Sequence, residues 1–246
     1  MKTKIYILTT FCFFSCLNMS FSQEKKDKGR FDLKTDILST YLWRGMVADP
    51  KPNIQPTLTY TYKKFSIGAF GSTNLDNSYR EVDLFATYEL NNFTFTFNDY
   101  YWSPYIDSLD YTNYDFIKSG HYLEGMVAWK GPESFPITIQ AATIFFGPDN
   151  KFDHFDSVTG ETVYINRYSS YFEVAYPFIL KEYDMKAFIG GTPNEGLYGT
   201  GGGVVNVGLS AIKKIKASST WEIPLTGSLI FNPQTSRVYF TLGITL

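Results

Sequence analysis

The stretch VYFTLGITL, residues 238–246 at the end of the chain, decides the fold class because its side chains alternate strictly in character. Successive side chains of an extended strand point to opposite faces, so every second residue shares one environment. One face carries large apolar side chains, from Val238, Phe240, Leu242, Ile244 and Leu246. The other carries Tyr239, Thr241, Gly243 and Thr245. This period of two predicts a β-strand that separates an apolar from a polar medium.

The same period recurs along the chain, and no segment combines a helical period with helix caps. Predicted strands span residues 31–44, 53–62, 65–73, 81–90, 93–98, 120–129, 136–146, 167–177, 183–191, 203–212, 222–231 and 238–246. Most of them have about the 9 to 11 residues that a tilted membrane strand needs. The chain is therefore predicted to be all-β, with about 12 strands.

The connections between these strands alternate between short and long. Only Lys63-Lys64 and Asn91-Asn92 separate the second strand from the third and the fourth from the fifth. Long connections at 46–52, 103–119, 147–166 and 192–202 take the intervening places. Outer-membrane barrels sort their loops in this way, with short periplasmic turns and longer extracellular loops. We predict an antiparallel transmembrane β-barrel with both ends in the periplasm; the alternative is a soluble β-sandwich or lipocalin-like barrel.

The first 22 residues have the features of an export signal. Lys2 and Lys4 precede an apolar stretch over residues 5–17, and small residues Ser20 and Ser22 stand at the cleavage-determining positions. We predict that residues 1–22 are removed and that residues 23–246 form one barrel domain in the outer membrane of a Gram-negative bacterium, reached through the periplasm. The alternative is lipidation of Cys16. Removal leaves no cysteine, which excludes a disulfide scaffold, a thiol enzyme and a cysteine-ligated metal.

Composition and charge restrict the partners. The chain has 246 residues, of which 44% are hydrophobic, yet the predicted mature chain contains no run of 18 apolar residues, which excludes a helical membrane protein. Lys and Arg number 22 against 24 Asp and Glu, so no basic field attracts nucleic acid. The predicted partners are the outer-membrane lipid bilayer and small solutes or ions; no cofactor is predicted.

The first predicted hairpin resembles that of a known family. The residues concerned are Ser39-Thr-Tyr41-Leu-Trp43-Arg44-Gly45, Pro52-Asn-Ile54-Gln55, Phe65-Ser-Ile67-Gly68 and Gly71-Ser72. Over residues 36–90 the pattern is similar to the opening of the TorF-type porins, and Glu81-Val-Asp83 resembles their acidic fourth strand. The resemblance implies an outer-membrane β-barrel of the porin class, without a defined substrate.

Alternation places a set of polar side chains on the inner face of the predicted barrel. The lumen candidates are Arg44, Gln55, Glu81, Asp83, Glu124 and Glu173. Charges inside a membrane barrel are tolerated when they are hydrated or paired. One hypothesis is a water-filled channel for small hydrophilic solutes or ions, which an excess of acids makes cation-preferring. The other is an interior filled by ion pairs between Arg44, with other bases, and Glu81, Asp83 and Glu124.

Aromatic and acidic residues are concentrated in the predicted outer loops. The binding candidates are Trp102, Tyr105, Tyr111 and Tyr114. Such rings stack on sugars, which gives the alternative function of a non-conducting barrel that binds glycans or a partner; the simpler interpretation is that they form the outer girdle and pack the loop. A second loop carries Asp149, Asn150, Asp153, Asp156 and Glu161, oxygen ligands suited to Ca²⁺ but without EF-hand spacing. No metal site is predicted.

Catalysis is not predicted. Ser119 and His121 lie two residues apart near a predicted strand end, so both could project to one side near the lipid interface. No orienting carboxylate or amide can be assigned to them from sequence. Lipid hydrolysis is therefore the minor alternative, and His154 is the only other histidine.

Overall fold

The computed structural model describes residues 28–103, 109–219 and 221–246. The predicted signal peptide, its cleavage site and Tyr105 lie outside these ranges. Within the described residues there are sixteen strands, and no helix is long and apolar enough to span a membrane.

Twelve of the strands form the barrel. They are β1 (Arg30–Leu38), β4 (Asn53–Tyr62), β5 (Phe65–Asn74), β6 (Arg80–Leu90), β7 (Phe93–Trp102), β8 (His121–Lys130), β9 (Thr138–Phe146), β12 (Ser170–Leu180), β13 (Tyr183–Thr192), β14 (Gly203–Lys216), β15 (Glu222–Asn232) and β16 (Arg237–Thr245). The other four form two hairpins, β2 (Tyr41–Trp43) with β3 (Met46–Asp49) and β10 (Asn150–Asp156) with β11 (Glu161–Asn166).

The barrel is closed and antiparallel throughout. Each strand pairs with its neighbours in the chain, and β1 closes the ring by pairing with β16 on one side and β4 on the other. Closure leaves no unpaired strand edge, which is the requirement for a sheet in lipid. The predicted all-β fold with twelve barrel strands is therefore confirmed.

The two faces of the wall differ as the alternation predicts. The outer face is apolar and exposed: Phe240, for example, is 58% exposed and lies in line with Val238 and Leu242. The inner face toward the short-turn end is rich in hydroxyl groups that pair across adjacent strands, as Thr87 does with Thr96 at 3.2 Å. An apolar band around a hydroxyl-lined interior is the organisation of a transmembrane barrel.

Loop length is sorted between the two ends of the barrel. At one end, which we call the short-turn end, two-residue turns begin at Lys63, Asn91 and Lys181, each with a positive φ between 53° and 56°. Such backbone angles are typical of tight hairpin turns that match the strand twist. β1 begins there too, since Arg30 faces Thr61 next to the first of these turns. The opposite, long-loop end carries the long connections.

The first predicted strand, 31–44, is wrong in its last part. β1 ends at Leu38, where Ser39 Oγ accepts a hydrogen bond from the backbone N–H of Leu242 on β16 at 2.9 Å. The chain then turns inward and forms the β2–β3 hairpin. Its turn is Arg44-Gly45, with φ of 49° and 82°, angles that favour glycine at the second position. Arg44 therefore lies at the tip of a hairpin and not on the barrel wall.

Aromatic rings inside the barrel lie over glycines of the next strand. A Cβ on Gly208 would come within 2.2 Å of the Phe188 ring, and one on Gly68 within 2.3 Å of the Phe85 ring. Gly208 faces Phe188 directly in the β13–β14 register. The absence of a side chain at these glycines thus makes room for an inward-facing ring, which fills part of the lumen.

Candidate functional site

The outer part of the lumen is occupied by two segments from the long-loop end. The first is the inner hairpin, residues 41–49, and the second is the Tyr198 loop, residues 193–202, which joins β13 to β14. Both contact inward-facing side chains of the wall, including Glu124 on β8 and Asn206 on β14. We refer to the inner hairpin and the Tyr198 loop together as the plug.

The centre of the plug is an ion pair between Arg44 and Glu124. Arg44 Nη2 donates to Glu124 Oε1 at 3.0 Å and Nη1 donates to Oε2, a two-pronged arrangement. The Glu124 side chain is fully buried and that of Arg44 is 8% exposed. A buried pair of this kind is stable only if the remaining hydrogen-bonding capacity of both groups is also used.

Neutral donors complete the bonding of Glu124. The hydroxyls of Tyr100 and Tyr198 each donate to its carboxylate at 2.8 Å. Asn98 Nδ2 adds a longer bond of 3.3 Å. Tyr198 also accepts from Arg44 Nη1 at 2.5 Å, so the Tyr198 loop is joined to both members of the ion pair.

Aromatic rings enclose the Arg44 guanidinium. Its carbon atom lies 4.7 Å from the centroid of a Trp43 ring, 5.0 Å from that of Tyr171 and 5.3 Å from that of Tyr198. Trp43 in turn contacts Tyr100 and Trp102 of β7, each with ring centroids 5.5 Å apart. The cation is therefore held by π faces as well as by the carboxylate.

The backbone at the tip of the hairpin touches the wall at β15 and β14, two and three strands from β1. Asn232 Nδ2, at the end of β15, donates to the Gly45 carbonyl oxygen at 3.0 Å. A Cβ on Gly45 would lie 2.0 Å from the Val205 carbonyl oxygen, so only glycine allows this approach. The hairpin thus reaches from β1 past β16 to β15 and β14.

The return limb of the hairpin is fixed by a buried polar cluster. Asp49 accepts from Asn53 Nδ2 at 2.5 Å and from Asn74 Nδ2 at 2.7 Å. Gln55 Nε2 donates to Ser72 Oγ at 3.1 Å within the same cluster. The lumen candidate Gln55 does face inward, but its amide is used in fixing the start of β4 beside the plug.

The other predicted lumen acids face inward without a basic partner. Glu81 accepts from the Trp102 indole at 2.5 Å and from the Tyr79 hydroxyl at 2.7 Å, and Asp83 accepts from a backbone N–H. Glu173 accepts from the Tyr171 hydroxyl at 2.6 Å. Within the described ranges no Lys or Arg lies within 4.0 Å of these three carboxylates. The hypothesis of ion pairs filling the interior therefore holds for Arg44 with Glu124 and not for Glu81 or Asp83.

The predicted binding aromatics do not share one surface. Trp102 points into the lumen, bonded to Glu81, whereas Tyr111 and Tyr114 pack on the outside of the wall. Tyr105 is outside the described residues. Burial, together with a 2.7 Å hydrogen bond to Asp99, raises the pKa of the Tyr114 hydroxyl to about 12. Trp102, predicted to be an outer-loop residue, is therefore part of the lumen, and glycan binding by Tyr111 and Tyr114 stays a prediction.

Tyr111 and Tyr114 cover the buried imidazole of His121. Its Nδ1 lies 2.7 Å from Asp99 Oδ1, its Nε2 lies 2.7 Å from the Tyr111 carbonyl oxygen, and the Tyr114 ring stacks on it at 3.9 Å. Ser119 Oγ bonds the Asn113 carbonyl and the His121 backbone instead of the ring. Ser119 is therefore not placed as a nucleophile for His121; the pair anchors the loop of residues 109–120 to the wall.

The acidic side chains of the outer loop at residues 149–161 do not point toward one common position where a cation could bind. Asp149 accepts from Ser169, Asp153 faces His154, and Asp156 accepts from the backbone of the turn that follows it. Among the residues described by the structure, no three His, Cys, Asp or Glu side chains come together to hold a metal ion.

A cavity of about 510 Å³ opens above the plug at the long-loop end, and we call it the vestibule. Met46 of the inner hairpin and Tyr198 form part of its lining, together with Arg167, Glu195 and Gln234. Sequence reasoning missed Tyr198, Asn232 and Trp43 as parts of the site. The sequence signal that could have located this site was the Arg44-Gly45 dipeptide, because it suits the tight turn at the tip of the inner hairpin.

No family model and no curated protein matches the chain. The resemblance to TorF-type porins therefore stays a prediction from the sequence. One solved structure to which the chain is similar is described as a KdgM porin in complex with disordered oligogalacturonate; the similarity has a TM-score of 0.45 and 8% identity, over 89% of this chain and 98% of that one.

Proposed function

We propose that this protein is an outer-membrane channel of the TorF-type porin class for small hydrophilic solutes or ions, and that the inner hairpin closes its lumen. The observation that carries the proposal is the Arg44–Glu124 pair, which joins a loop segment to the wall inside the barrel. An apolar exterior and a hydroxyl-lined inner face support a membrane location and a hydrated passage. Movement of the hairpin opens the passage, because its tip is held in the lumen by side-chain contacts and not by the barrel ladder, and this tip carries Arg44.

The lumen is proposed to prefer cations. Glu81, Asp83 and Glu173 face it and are bonded by neutral donors, so no nearby base balances their charge in the ionised state. When the hairpin leaves, Glu124 also loses Arg44 as its partner. A narrow path lined by unpaired carboxylates concentrates cations through its local field.

Reconstitution in planar bilayers with a salt gradient tests the proposal. We expect brief channel steps from the natural protein and much longer openings from Arg44→Ala, with a reversal potential that indicates cation selectivity. The matched control is Arg80→Ala, since Arg80 bonds exposed Asn77 at the same end of the barrel and does not touch the plug.

The outcomes separate the parts of the proposal. Absence of steps from all three proteins contradicts the channel function. Equal opening of Arg44→Ala and Arg80→Ala contradicts gating by the hairpin, and an anion-selective reversal potential contradicts the cation preference alone.

The second candidate function is a non-conducting barrel that binds a ligand at its long-loop end. The vestibule favours it, because this cavity is formed with the plug in place. Ligand binding by a protein that never conducts would establish this alternative.

A further inference from the structure

The vestibule is a preformed cavity whose shape depends on the Tyr198 loop. Ser169 Oγ accepts from the Leu197 backbone N–H at 2.8 Å and donates to Asp149 at 2.6 Å. On the other side, Gln234 accepts from the Thr200 backbone and donates to the Gly201 carbonyl, at 3.0 and 2.7 Å. The loop is therefore bonded at both sides, and the cavity does not require a ligand to form.

The charged groups of the vestibule already have hydrogen-bond partners. Arg167 Nη1 donates to Glu195 Oε1 at 2.8 Å, and both oxygens of Asp149 are bonded by Ser169. A charged ligand would have to compete with these contacts for its counter-charge. A neutral ligand would leave them intact, which makes it the better fit to this lining.

The lining also offers unused hydrogen-bonding groups beside apolar faces. Arg167 Nη2 and Glu195 Oε2 make no hydrogen bond to the described residues, and the Thr200 side chain is exposed. Tyr122 and Leu197 provide the apolar faces, and both pack against the buried cluster that contains Tyr198. Donors and acceptors placed around the Tyr122 ring and the Leu197 side chain suit a sugar ring, which carries hydroxyls on its edge and C–H groups on its faces.

We infer that the vestibule binds a neutral mono- or disaccharide, which contacts Met46 of the inner hairpin and the Tyr198 loop. A volume of about 510 Å³ lies in the range of small-molecule sites. Tyr198 bonds directly to Arg44 and Glu124, so the ligand lies on the loop that helps to hold the hairpin closed. The inference rests on the proposed function only where it connects binding to opening; binding itself does not depend on conduction.

Calorimetry on the folded full-length protein in detergent tests the inference. The probes are glucose, galactose, maltose, lactose and sucrose, with glucuronate, galacturonate and glucosamine as charged comparators. We expect millimolar or tighter binding of at least one neutral sugar and at least tenfold weaker binding of its charged counterpart. Thr200→Trp, which fills the vestibule, should weaken binding of the neutral sugar at least tenfold.

The control is Thr159→Trp, which places the same ring in the exposed turn between β10 and β11. Heat-modifiable gel migration verifies that both variants fold. Absence of binding by every neutral sugar, preference for a charged one, or equal binding by Thr200→Trp and the natural protein would each overturn the inference. Sugar binding without channel steps would instead overturn the proposed function and leave this site in place.

Discussion

The Arg44 guanidinium is bonded to both carboxylate oxygens of Glu124 on β8, five strands around the barrel from β1, which leads into the Arg44 hairpin. The pair thus crosses the lumen. Because both side chains are buried, each depends on the other for its charge compensation. If the barrel opens as proposed, this pair must separate, and replacement of either partner should shift the hairpin outward.

Glu124→Gln should release the inner hairpin. The amide keeps the size of the side chain but leaves Arg44 buried without a counter-charge, at a cost of roughly 3–5 kcal/mol for the closed state. Trypsin cleavage after Arg44 in the folded protein measures the release, because the natural protein buries this residue. Glu89→Gln on β6 is the control, since Glu89 is exposed near the short-turn end. Protection of Arg44 in Glu124→Gln would show that the pair does not hold the hairpin.

Gly45→Ala should open the barrel without any change in charge. The added Cβ would meet the Val205 carbonyl at 2.0 Å, and a φ of 82° is unfavourable for alanine. Gly160→Ala is a matched control, because Gly160 also has a positive φ, of 72°, but nothing lies within 4 Å of its added Cβ. Planar-bilayer recording should show longer openings for Gly45→Ala and unchanged ones for Gly160→Ala. If the two variants gave equally long openings, the clash with Val205 would not be the cause, since the substitutions share only the strain of alanine at a positive φ.

Alternation was sufficient to predict the barrel. Each wall residue faces either lipid or lumen, and its apolar or polar character indicates which. Alternation failed at residues 39–44, since Tyr41 and Trp43 alternate in the same way whether the strand continues or turns inward. The decisive information was the left-handed backbone at Arg44 and Gly45, which depends on contacts with Asn232 and Val205 far along the chain.

Burial of the outer-loop residues was equally difficult to predict. The register puts His121 beside Tyr101 on the outward face, where alternation alone would expose it to lipid or the interface. The loop that carries Tyr111 and Tyr114 folds back over it, and this pairing of loop with wall leaves no periodic signal. Trp102 is different, since it shares the inward face with Asn98 and Tyr100 and could have been assigned to the lumen from the sequence.

Asp76 should titrate at an unusually low pH. Lys51 Nζ donates to its carboxylate at 2.5 Å, and this bond, with those from Ser78, lowers the pKa of Asp76 to about 2. A depressed folded-state pKa means that the contribution to stability is present above the unfolded pKa and is lost as the pH falls towards 2. Carbon-13 NMR should show the Asp76 pKa returning towards 3.8 in Lys51→Met. The pKa of Asp115, which hydrogen bonds from the backbone N–H groups of Ile117 and Lys118 lower, should not change in this variant.

Gly208→Ala should destabilise the barrel wall. Its Cβ would lie 2.2 Å from the Phe188 ring, which has little room to move inside the lumen. Overpacking of this kind costs about 1–3 kcal/mol, measurable by urea unfolding in lipid vesicles. Gly227→Ala on β15 is the control, because its nearest neighbour is the flexible end of Leu242 at 3.4 Å. Adding Phe188→Leu to Gly208→Ala should recover stability; failure to recover would mean that the ring is not the cause.

Asp99→Asn should detach the loop of residues 109–120 from the wall. Asp99 accepts hydrogen bonds from the Tyr114 hydroxyl and interacts with His121 Nδ1, so its charge stabilises contacts to both. Loss of one charge-assisted bond costs roughly 1.5–3 kcal/mol, which corresponds to about 10- to 150-fold faster amide exchange in the loop. The pKa of Tyr114 should fall from about 12 towards 10 in a spectrophotometric titration. His154→Phe, which removes only the exposed contact with Asp153, should leave both readouts unchanged; faster exchange there as well would indicate a general loosening of the long-loop end.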